Sequence, residues 1–588
     1  MQQTDIDRVT APKWLGFNHQ GFTESRIRWI LRVIAISLGA AQAWVARNAI
    51  NPDGRSHIEI ARAYLRHDWH TAINPYWGPL YSWIVAAALG ISKPGLRNEF
   101  PVVHAVNFVL FVFAIFAFEF FWSELLASSQ KSYQPDAHSG ATILPGNILW
   151  IMGYALFIWL TISLLVPLVN ADICVAILVL LDLALLLKIT IFPTSNLWVS
   201  TFFGLALCAG YLAKAVMFPV GFVFLVLAVI SSKTFDKRKS LLLSLLIFLC
   251  LSAPQIFLLS RATGHLTFSE SGKFPFAWSN YNLPIRNWQG DPSSSGQPLH
   301  PTRKVYDHPA VFEFNGPIKA SYPPWYDPSY WNAGMSPAFE IKTIAKHFVS
   351  NLPEMGAFLL MPRLWLLALL ILLLLCQPTA TLAGIMRHWY VLGAITIVFV
   401  LYLFTFWETR YVPAWGIAFW GVVVVSIRTR NQGKSFTVWL WSAVFLAALS
   451  ILQIGHGIYG QMRNMRPDDA TPEYVTAEGL KKMGVRPGAK VAAIGYDNDA
   501  YFAYLDNLSI IAEINTDQTC EFWQSSPPIQ SEIFAKFREA GVNIIVANTG
   551  GGVRNTTHEI PINVAACSHP GVGWRQIEGS PNHIYFLH

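Results

Sequence analysis

Residues 171–191 read ADICVAILVLLDLALLLKITI, a stretch in which nearly all side chains are apolar. A helix needs roughly 17–25 mostly apolar residues to cross a bilayer, and this stretch is long enough. Similar stretches recur along the chain. Together they predict about eleven membrane-spanning helices, at 27–46, 101–126, 147–166, 171–191, 197–213, 216–231, 240–260, 354–376, 388–406, 412–427 and 436–456.

The composition agrees with a chain that lies largely in lipid. Of its 588 residues, 53% are hydrophobic and 13% are charged, and the mean hydropathy is +0.38. Soluble proteins carry about 25% charged residues, so a wholly soluble protein and a disordered chain are excluded. The net charge of +7 does not indicate a nucleic-acid partner, because many Lys and Arg side chains lie in short loops between the spans.

The segment PLYSWIVAAALGI, residues 79–91, decides on which side every later loop lies. It is too short to cross a bilayer unaided, and we predict a juxtamembrane or re-entrant helix there. The polar tail 1–26 and the basic loops 233–239 and 428–434 then share the cytoplasmic side, as short basic loops should. The loops 47–100 and 261–350 and the part from residue 460 then lie outside the cytoplasm.

Residues 460–588 are more polar and predict a small extracytoplasmic α/β domain. Short buried-strand patterns lie at 490–495, 509–514, 543–547 and 583–587, with a helical stretch at 531–540. Cys520 and Cys567 can form one disulfide if this part is extracytoplasmic. The predicted fold is therefore an α-helical polytopic membrane domain, residues 27–456, followed by a C-terminal α/β domain.

Two acidic residues lie at the predicted outer ends of spans. Asp53 follows the first span by about six residues, and apolar positions recur at helical spacing from His57 on. Asp53 is therefore expected just before a helix start, where an N-cap is the alternative to a functional role. Asp172 lies at the outer end of the fourth span, with an N-cap or a solvated helix end as the alternative. On the eleven-span topology both carboxylates face the same side.

Lys214 and Arg410 fall on that same outer side, against the usual distribution of basic residues in membrane proteins. Arg binds a phosphate through a bidentate fork and Lys binds it as a point charge, so the two indicate an anionic ligand. The alternatives are a Lys214 side chain that reaches the lipid headgroups and a local Glu408–Arg410 ion pair.

The first external loop adds His57, Trp77 and Tyr81. A histidine one turn after Asp53 can orient that carboxylate or contact a substrate, and an ordinary interfacial residue is the alternative. The aromatic side chains predict either a belt at the lipid headgroups or a wall for a sugar ring. No Cys or His spacing indicates a metal site.

The order of these features resembles the GT-C superfamily of polyprenyl-phosphate-sugar glycosyltransferases, over roughly residues 27–430. The most similar branch holds protein O-mannosyltransferases and aminoarabinose lipid A transferases. The resemblance is carried by Pro52-Asp-Gly-x-x-His-x-x-x-Ala-Arg62, Asn74-Pro-Tyr-Trp-Gly-Pro-Leu-Tyr81, Asp172 in the second external loop, and Arg410-Tyr-Val-Pro413. The chain departs from the family at Gly54, where Glu is frequent, and at Trp77-Gly78, where His-Pro is frequent.

The resemblance implies a membrane enzyme, in a bacterial plasma membrane, that transfers a sugar from a polyprenyl-phosphate donor with inversion. The acceptor hydroxyl belongs to a glycan, lipid or protein on the extracytoplasmic side. Asp53 would be the general base, and Asp172 would position the acceptor or a divalent cation such as Mg²⁺ or Mn²⁺. Lys214 and Arg410 would stabilise the leaving phosphate. Loop 261–350 would cover the site. Further substrate contacts are expected from His57, Trp77, Tyr81, Asp327, Glu408 and Tyr411.

Two other functions stay open on the sequence. A transporter or flippase is also polytopic, and Asp182 within a span is typical of such proteins. Transporters usually carry internal repeats, and none stands out in this chain. The third reading is a non-catalytic membrane scaffold that presents the C-terminal domain.

Overall fold

The computed structural model describes residues 24–587 except 50, 132–141, 192–195, 233, 282, 285–286, 291–295, 300–301, 315–333, 336–339, 361–375, 430–433, 465–470, 498 and 551–563. Most of the predicted tail 1–26, most of the predicted span 354–376, and Asp327 lie outside the described residues.

Every predicted span other than 354–376 is a helix. In chain order the helices up to residue 463 are α1 (Glu24–Ala46), α2 (Pro52–Leu65), α3 (Trp69–Ala72), α4 (Pro79–Ser92), α5 (Glu99–Lys131), α6 (Gly146–Ile162), α7 (Asp172–Ile191), α8 (Leu197–Ala213), α9 (Met217–Ser231), α10 (Phe235–Thr263), α11 (Lys273–Tyr281), α12 (Ile341–Leu359), α13 (Pro378–Arg387), α14 (Trp389–Phe404), α15 (Pro413–Ser426) and α16 (Lys434–Arg463).

Five of the described helices are long and apolar enough to cross a membrane. A sixth crossing results if α13 and α14, which meet at 73°, form one bent span, and five further apolar helices have 10–17 residues. Among these is α4, whose 14 residues extend about 21 Å, less than the roughly 30 Å of a hydrocarbon core. The predicted short helix at 79–91 is thus confirmed, and the count of eleven crossings stays a prediction.

Large aromatic side chains fill the interior of the helical bundle. Trp122, Trp150 and Tyr154 are buried, and Phe118 stacks on Phe157 with ring centres 4.7 Å apart. Such side chains are the apolar residues that defined the spans in the sequence, and burying them between helices is what closes the bundle. The bundle therefore has a packed core in addition to its lipid-facing surface.

Ionisable side chains inside the bundle form ion pairs, as their burial requires. Arg32 donates to both carboxylate oxygens of Glu119, at 2.9 and 2.6 Å, and Lys188 Nζ lies 3.0 Å from Glu124. Asp182 differs from these, since it is fully buried and neither of its carboxylate oxygens has a hydrogen-bond partner among the described residues.

The sequence predicts that Arg428 lies in a solvated basic loop, and the structure differs. It is buried, and its guanidinium donates to the backbone carbonyls of Val425 and Ile427. The same backbone pairs, as strand β4 (Arg428–Thr429), with β1 (Thr142–Ile143). Arg428 is thus a packed side chain rather than a solvated topogenic charge.

The C-terminal part is built on a seven-stranded sheet. Its strands are β2 (Arg303–Tyr306), β3 (Val311–Glu313), β5 (Lys490–Ile494), β6 (Ser509–Ile514), β7 (Ile544–Ala547), β8 (Arg575–Gln576) and β9 (His583–Phe586), in the order β2-β3-β6-β5-β7-β9-β8. The four predicted strand segments are β5, β6, β7 and β9, and β5 pairs in parallel with β6 and β7. The helices of this part are α17 (Pro472–Lys482), α18 (Tyr501–Leu505), α19 (Thr519–Gln524), α20 (Pro527–Glu539) and α21 (Val564–Cys567).

Two strands of this sheet come from the loop 261–350. The hairpin β2–β3 adds to β6 in antiparallel register, with Phe312 opposite Glu513. The boundary predicted between a membrane domain with its loops and a separate domain from residue 460 is therefore crossed by the sheet. A disulfide joins Cys520 to Cys567 across a sequence separation of 47, as the sequence allowed.

Candidate active site

Asp53 lies in the first turn of α2, which begins one residue earlier, at Pro52. The expectation that Asp53 precedes the helix, and its alternative as an N-cap, are both wrong, because the N-cap residue is Asn51. Proline is favoured at the first helical position, where its missing N–H is not needed. The helix thus starts earlier than the apolar pattern from His57 indicates, and the Asp53 carboxylate makes contacts outside its own helix.

Four charged side chains that are far apart in the sequence form one chain of ion pairs. Lys214 Nζ lies 2.6 Å from Asp172 Oδ1. Arg410 Nε lies 3.8 Å from Asp172 Oδ2, and Arg410 Nη1 lies 2.5 Å from Asp53 Oδ2. We call these four residues the charged quartet. The predicted meeting of two carboxylates and two cations is confirmed.

Each member of the charged quartet lies at or beside the end of a helix. Asp172 is the first residue of α7, Lys214 directly follows α8, and Arg410 lies in a short 3₁₀ turn between α14 and α15. Only 5% of the Asp172 side chain is exposed, against 27% for Lys214. The four side chains therefore meet where these helices end, and none of the four charges lies in the middle of a span.

Tyr411 and Glu408 border the charged quartet. Lys214 Nζ lies 3.4 Å from the centre of the Tyr411 ring, a cation–π contact. The alternative of a local Glu408–Arg410 ion pair is not found among the described residues, where Arg410 pairs with Asp53 and Asp172. Burial, together with the nearby carboxylates of Asp53 and Asp172, raises the pKa of Glu408.

The electrostatics of the site favour an ionised Asp53. Burial by itself would raise the pKa of Asp53, but the charge and hydrogen bond of Arg410 and the charge of Lys214 outweigh it, so the pKa is lowered. Burial also lowers the pKa of His57, to about 4, although the nearby Asp53 opposes this. At neutral pH the site therefore holds a carboxylate beside a neutral imidazole.

His57, four residues after Asp53, packs against both Trp77 and Tyr81. The His57 ring centre lies 5.0 Å from that of Trp77 and 4.9 Å from that of Tyr81, and His57 Nδ1 lies 2.9 Å from Ser82 Oγ. Tyr81 is fully buried and donates its hydroxyl to Asn107 Oδ1 at 2.6 Å. Tyr81 is thus placed in the core behind the site, whereas Trp77 is half-buried.

Gly54, one of the departures from the family pattern, has a packing reason. A Cβ at this position would lie 2.5 Å from Val169 Cβ and 2.7 Å from the Val169 carbonyl oxygen. Real Cβ atoms essentially never approach other atoms so closely. The glycine lets the first turn of α2 press against the chain segment that leads into Asp172, and this brings the two carboxylates of the site together. The glycine could be noticed in the sequence as a departure from the family pattern. Its contact with Val169 could not be predicted from the sequence.

We expect Gly54→Ala to lower both stability and activity. The added methyl overpacks the contact with Val169, which typically costs about 1–3 kcal/mol of the free energy of unfolding. It also pushes Asp53 away from Asp172, and a displacement of about 1 Å can lower a reaction rate about 100-fold. Thermal unfolding and the rate of sugar transfer measure the two effects. Gly95→Ala is the matched control, because nothing lies within 4 Å of a Cβ there; a Gly54→Ala protein with the transfer rate of this control would contradict the prediction.

The start of the loop 261–350 lies against the loop 47–100. Ser269 Oγ and the backbone N–H of Glu270 donate to the Pro75 carbonyl at 2.9 and 2.8 Å, and the ring of Phe274 lies 5.6 Å from that of Tyr76. The loop is thus anchored against residues 75 and 76 at its start and, further along the chain, in the sheet through β2 and β3.

The charged quartet does not fit a divalent cation. Among the described residues, no group of three or more His, Cys, Asp or Glu side chains could hold a metal ion. Asp53 and Asp172 each pair with a cationic side chain instead. We derive no catalytic step through a metal ion.

A contact between α2 and the C-terminal part was not predicted. Arg62 Nη2 lies 2.7 Å from Glu99 Oε1, and the Tyr504 hydroxyl donates to Glu99 Oε2. The guanidinium of Arg55 lies over the Tyr504 ring, 4.7 Å from its centre. The helix that carries Asp53 in its first turn is therefore held by the C-terminal part. Tyr504 and Glu99 are 405 positions apart in the chain, a separation that no local sequence pattern spans.

No protein-family model matches the chain, and no curated protein matches it. Among solved structures, the chain is similar to ArnT from Cupriavidus metallidurans bound to undecaprenyl phosphate, with 12% identity, a TM-score of 0.47 and coverage of 95% of this chain and 97% of that one. It is also similar to the archaeal oligosaccharyltransferase AglB from Archaeoglobus fulgidus in complex with an inhibitory peptide and a dolichol-phosphate, with 12% identity, a TM-score of 0.44 and coverage of 90% and 69%. These neighbours are GT-C proteins, the superfamily that the sequence resembles. At these TM-scores, function has to be argued from the residues of the site.

Proposed function

We propose that the protein is a membrane glycosyltransferase that moves a sugar from a polyprenyl-phosphate donor to an acceptor hydroxyl. The observation that carries this proposal is the charged quartet at one end of an apolar helical bundle. A lipid-linked phosphosugar has an apolar tail, an anionic phosphate and a reactive anomeric carbon. The bundle, the two cations and the two carboxylates offer a complement to each of these parts.

In the proposed reaction Asp53 acts as the general base. The acceptor oxygen attacks the anomeric carbon while Asp53 takes the hydroxyl proton, which provides a stronger nucleophile than a neutral hydroxyl. The bond between the anomeric carbon and the phosphate oxygen breaks, and its electron pair leaves with the lipid phosphate. A single displacement of this kind inverts the anomeric configuration.

Arg410 and Lys214 stabilise the phosphate as it gains negative charge. Without substrate, Arg410 pairs with Asp53 at 2.5 Å, and this pairing weakens Asp53 as a base. A phosphate beside Arg410 shares that positive charge, so the pKa of Asp53 rises towards its usual range when the donor binds. The base thus becomes stronger at the moment when it is needed.

We further propose that the site faces the extracytoplasmic side of a bacterial plasma membrane. The disulfide between Cys520 and Cys567 supports this side, since disulfides persist in oxidising compartments. The basic segment 233–239 on the opposite side of the predicted topology supports it as well. The acceptor is then a glycan, lipid or protein outside the cytoplasm, reached past the loop 261–350.

A transporter or flippase is the second candidate function, and Asp182 favours it. A carboxylate buried in a span without a hydrogen-bond partner among the described residues is typical of ion and substrate pathways. The two candidates differ in their products, because a flippase leaves the donor intact and a transferase releases lipid phosphate.

The test is an assay of the purified protein in proteoliposomes against a panel of radiolabelled undecaprenyl-phosphate sugars, with glycan, lipid and peptide acceptors. We expect one donor to lose its sugar to an acceptor, with equimolar release of undecaprenyl phosphate. Movement of intact donors across the bilayer, with no sugar transferred from any of them, would overturn the proposal in favour of the flippase. Empty liposomes are the control.

A further inference from the structure

Two buried polar atoms next to Asp53 have no hydrogen-bond partner among the described residues: Nε2 of His57 and Nε1 of Trp77. His57 is fully buried. Buried polar atoms are nearly always hydrogen-bonded in folded proteins, so each unpaired one calls for an explanation. Phenylalanine at position 77 would fill the same space without leaving a polar atom unpaired. Two such atoms on neighbouring rings leave room in the hydrogen bonding of this site for one further polar partner.

The two atoms belong to neighbouring rings. His57 lies four residues after Asp53 on α2, and residues four apart share one face of a helix. Its Nδ1 is engaged at 2.9 Å by Ser82 Oγ, so Nε2, on the far side of the ring, is the nitrogen left for another partner. The Trp77 ring centre lies 5.0 Å from that of His57. The two unpaired nitrogens thus belong to neighbouring rings, one of which is carried by α2.

The chemistry of the pair suits a neutral hydroxyl group. An indole N–H only donates, whereas a neutral imidazole nitrogen donates or accepts according to its tautomer. A hydroxyl accepts from Trp77 and donates to or accepts from His57, which satisfies both. A phosphate oxygen only accepts, and the charged quartet already supplies cations for it. Because burial keeps the pKa of His57 near 4, the imidazole carries no charge that would attract an anion at neutral pH.

We propose that His57 Nε2 and Trp77 Nε1 form a subsite for one hydroxyl group of the transferred sugar. This inference rests on the proposed function and extends it by naming the atoms that select the sugar. The subsite lies on the face of α2 that carries Asp53, and Asp53 pairs with a cation proposed to bind the donor phosphate. A sugar attached to that phosphate has to lie beside this face.

The test compares two probes, undecaprenyl phosphate and the undecaprenyl-phosphate sugar that is active in the panel, by native mass spectrometry of the full-length protein. The variants are Trp77→Phe, which keeps an aromatic ring and removes the indole N–H, and His57→Phe, which removes Nε2 together with the Nδ1 that pairs with Ser82. The matched controls are His70→Phe and Trp69→Phe, two exposed residues of the same loop. We expect each test variant to bind the sugar-bearing lipid about 3- to 10-fold more weakly, the usual worth of one hydrogen bond, and undecaprenyl phosphate as tightly as before.

His57→Gln keeps a nitrogen near the position of Nε2, and we expect it to retain more sugar-dependent affinity than His57→Phe while folding equally well. Equal weakening of both probes would assign the pair to the phosphate and overturn the proposal. Unchanged binding of both probes would show that His57 and Trp77 only fill space, and this too would overturn the proposal. A panel in which no donor loses its sugar to an acceptor would overturn the proposed function itself, and this result is obtained before any variant is made.

Discussion

Asp53→Asn should abolish sugar transfer, with a fall in kcat of about 100- to 10,000-fold, the usual contribution of a general base. The amide matches the carboxylate in size but takes up no proton at neutral pH. Binding of undecaprenyl phosphate should persist, because Arg410 keeps Asp172 as an ion-pair partner and no longer shares its charge with Asp53. The measurement is the transfer rate at saturating donor, together with the thermal unfolding temperature.

Asp68→Asn is the matched control for this prediction. Asp68 lies in the same external loop and caps α3 by accepting from the Thr71 N–H at 3.3 Å. Asparagine caps helices as well as aspartate does, so the control should keep both stability and activity. Transfer at the wild-type rate by a folded Asp53→Asn protein would remove Asp53 from the mechanism.

Arg410→Gln should lower kcat/KM by about 100- to 1,000-fold and also change the pH dependence of the reaction. The rate falls because one of the two groups that stabilise the charge on the leaving phosphate is lost. The pH profile changes because Arg410 is the largest of the influences that lower the pKa of Asp53 against its burial. Without this cation, burial dominates and the pKa of Asp53 rises.

The direction of the pH shift follows from the role of Asp53 as a base. A base acts only when it is deprotonated, so activity is lost as the pH falls through its pKa. A higher pKa therefore moves the acidic limb of the pH–rate profile of kcat/KM to higher pH. Arg410→Lys should keep the acidic limb nearer to that of the wild type than Arg410→Gln does, since it retains the charge but lacks the fork that reaches both carboxylates.

Arg303→Gln is the control for the loss of a surface charge, because Arg303 is exposed and pairs with Glu313 on the hairpin β2–β3. It should leave the rate and the pH profile unchanged. An Arg410→Gln protein whose acidic limb coincides with that of the wild type would show that Asp53 is not the group that titrates in this limb.

The contacts around α2 connect the candidate site with the rest of the molecule. The first turn of the helix reaches the charged quartet through Asp53. Arg55 in the same turn contacts Tyr504, and Arg62 two turns further on pairs with Glu99. The position of Asp53 therefore depends on the docking of the C-terminal part as well as on the helical bundle. Truncated chains are for this reason a poor test of the mechanism.

The sequence alone determined the features that depend on local pattern. Long apolar stretches form helices because the backbone has to satisfy its hydrogen bonds internally in lipid, and each described predicted span is a helix. Short runs of β-branched and apolar residues likewise predicted the strands β5, β6, β7 and β9, because such runs favour a buried strand locally. Counting spans put Asp53, Asp172, Lys214 and Arg410 on one common side of the predicted topology, and it predicted their meeting.

Only the tertiary structure decided which of these groups touch. It paired Lys214 with Asp172 and set Arg410 between the two carboxylates, where the sequence favoured a local Glu408–Arg410 pair equally. The tertiary structure also shows that two strands of the loop 261–350 belong to the C-terminal sheet. These contacts join segments tens to hundreds of residues apart, and their geometry is set by how closely helices pack, as at Gly54 against Val169. Such packing depends on the whole assembled chain, which no local pattern encodes.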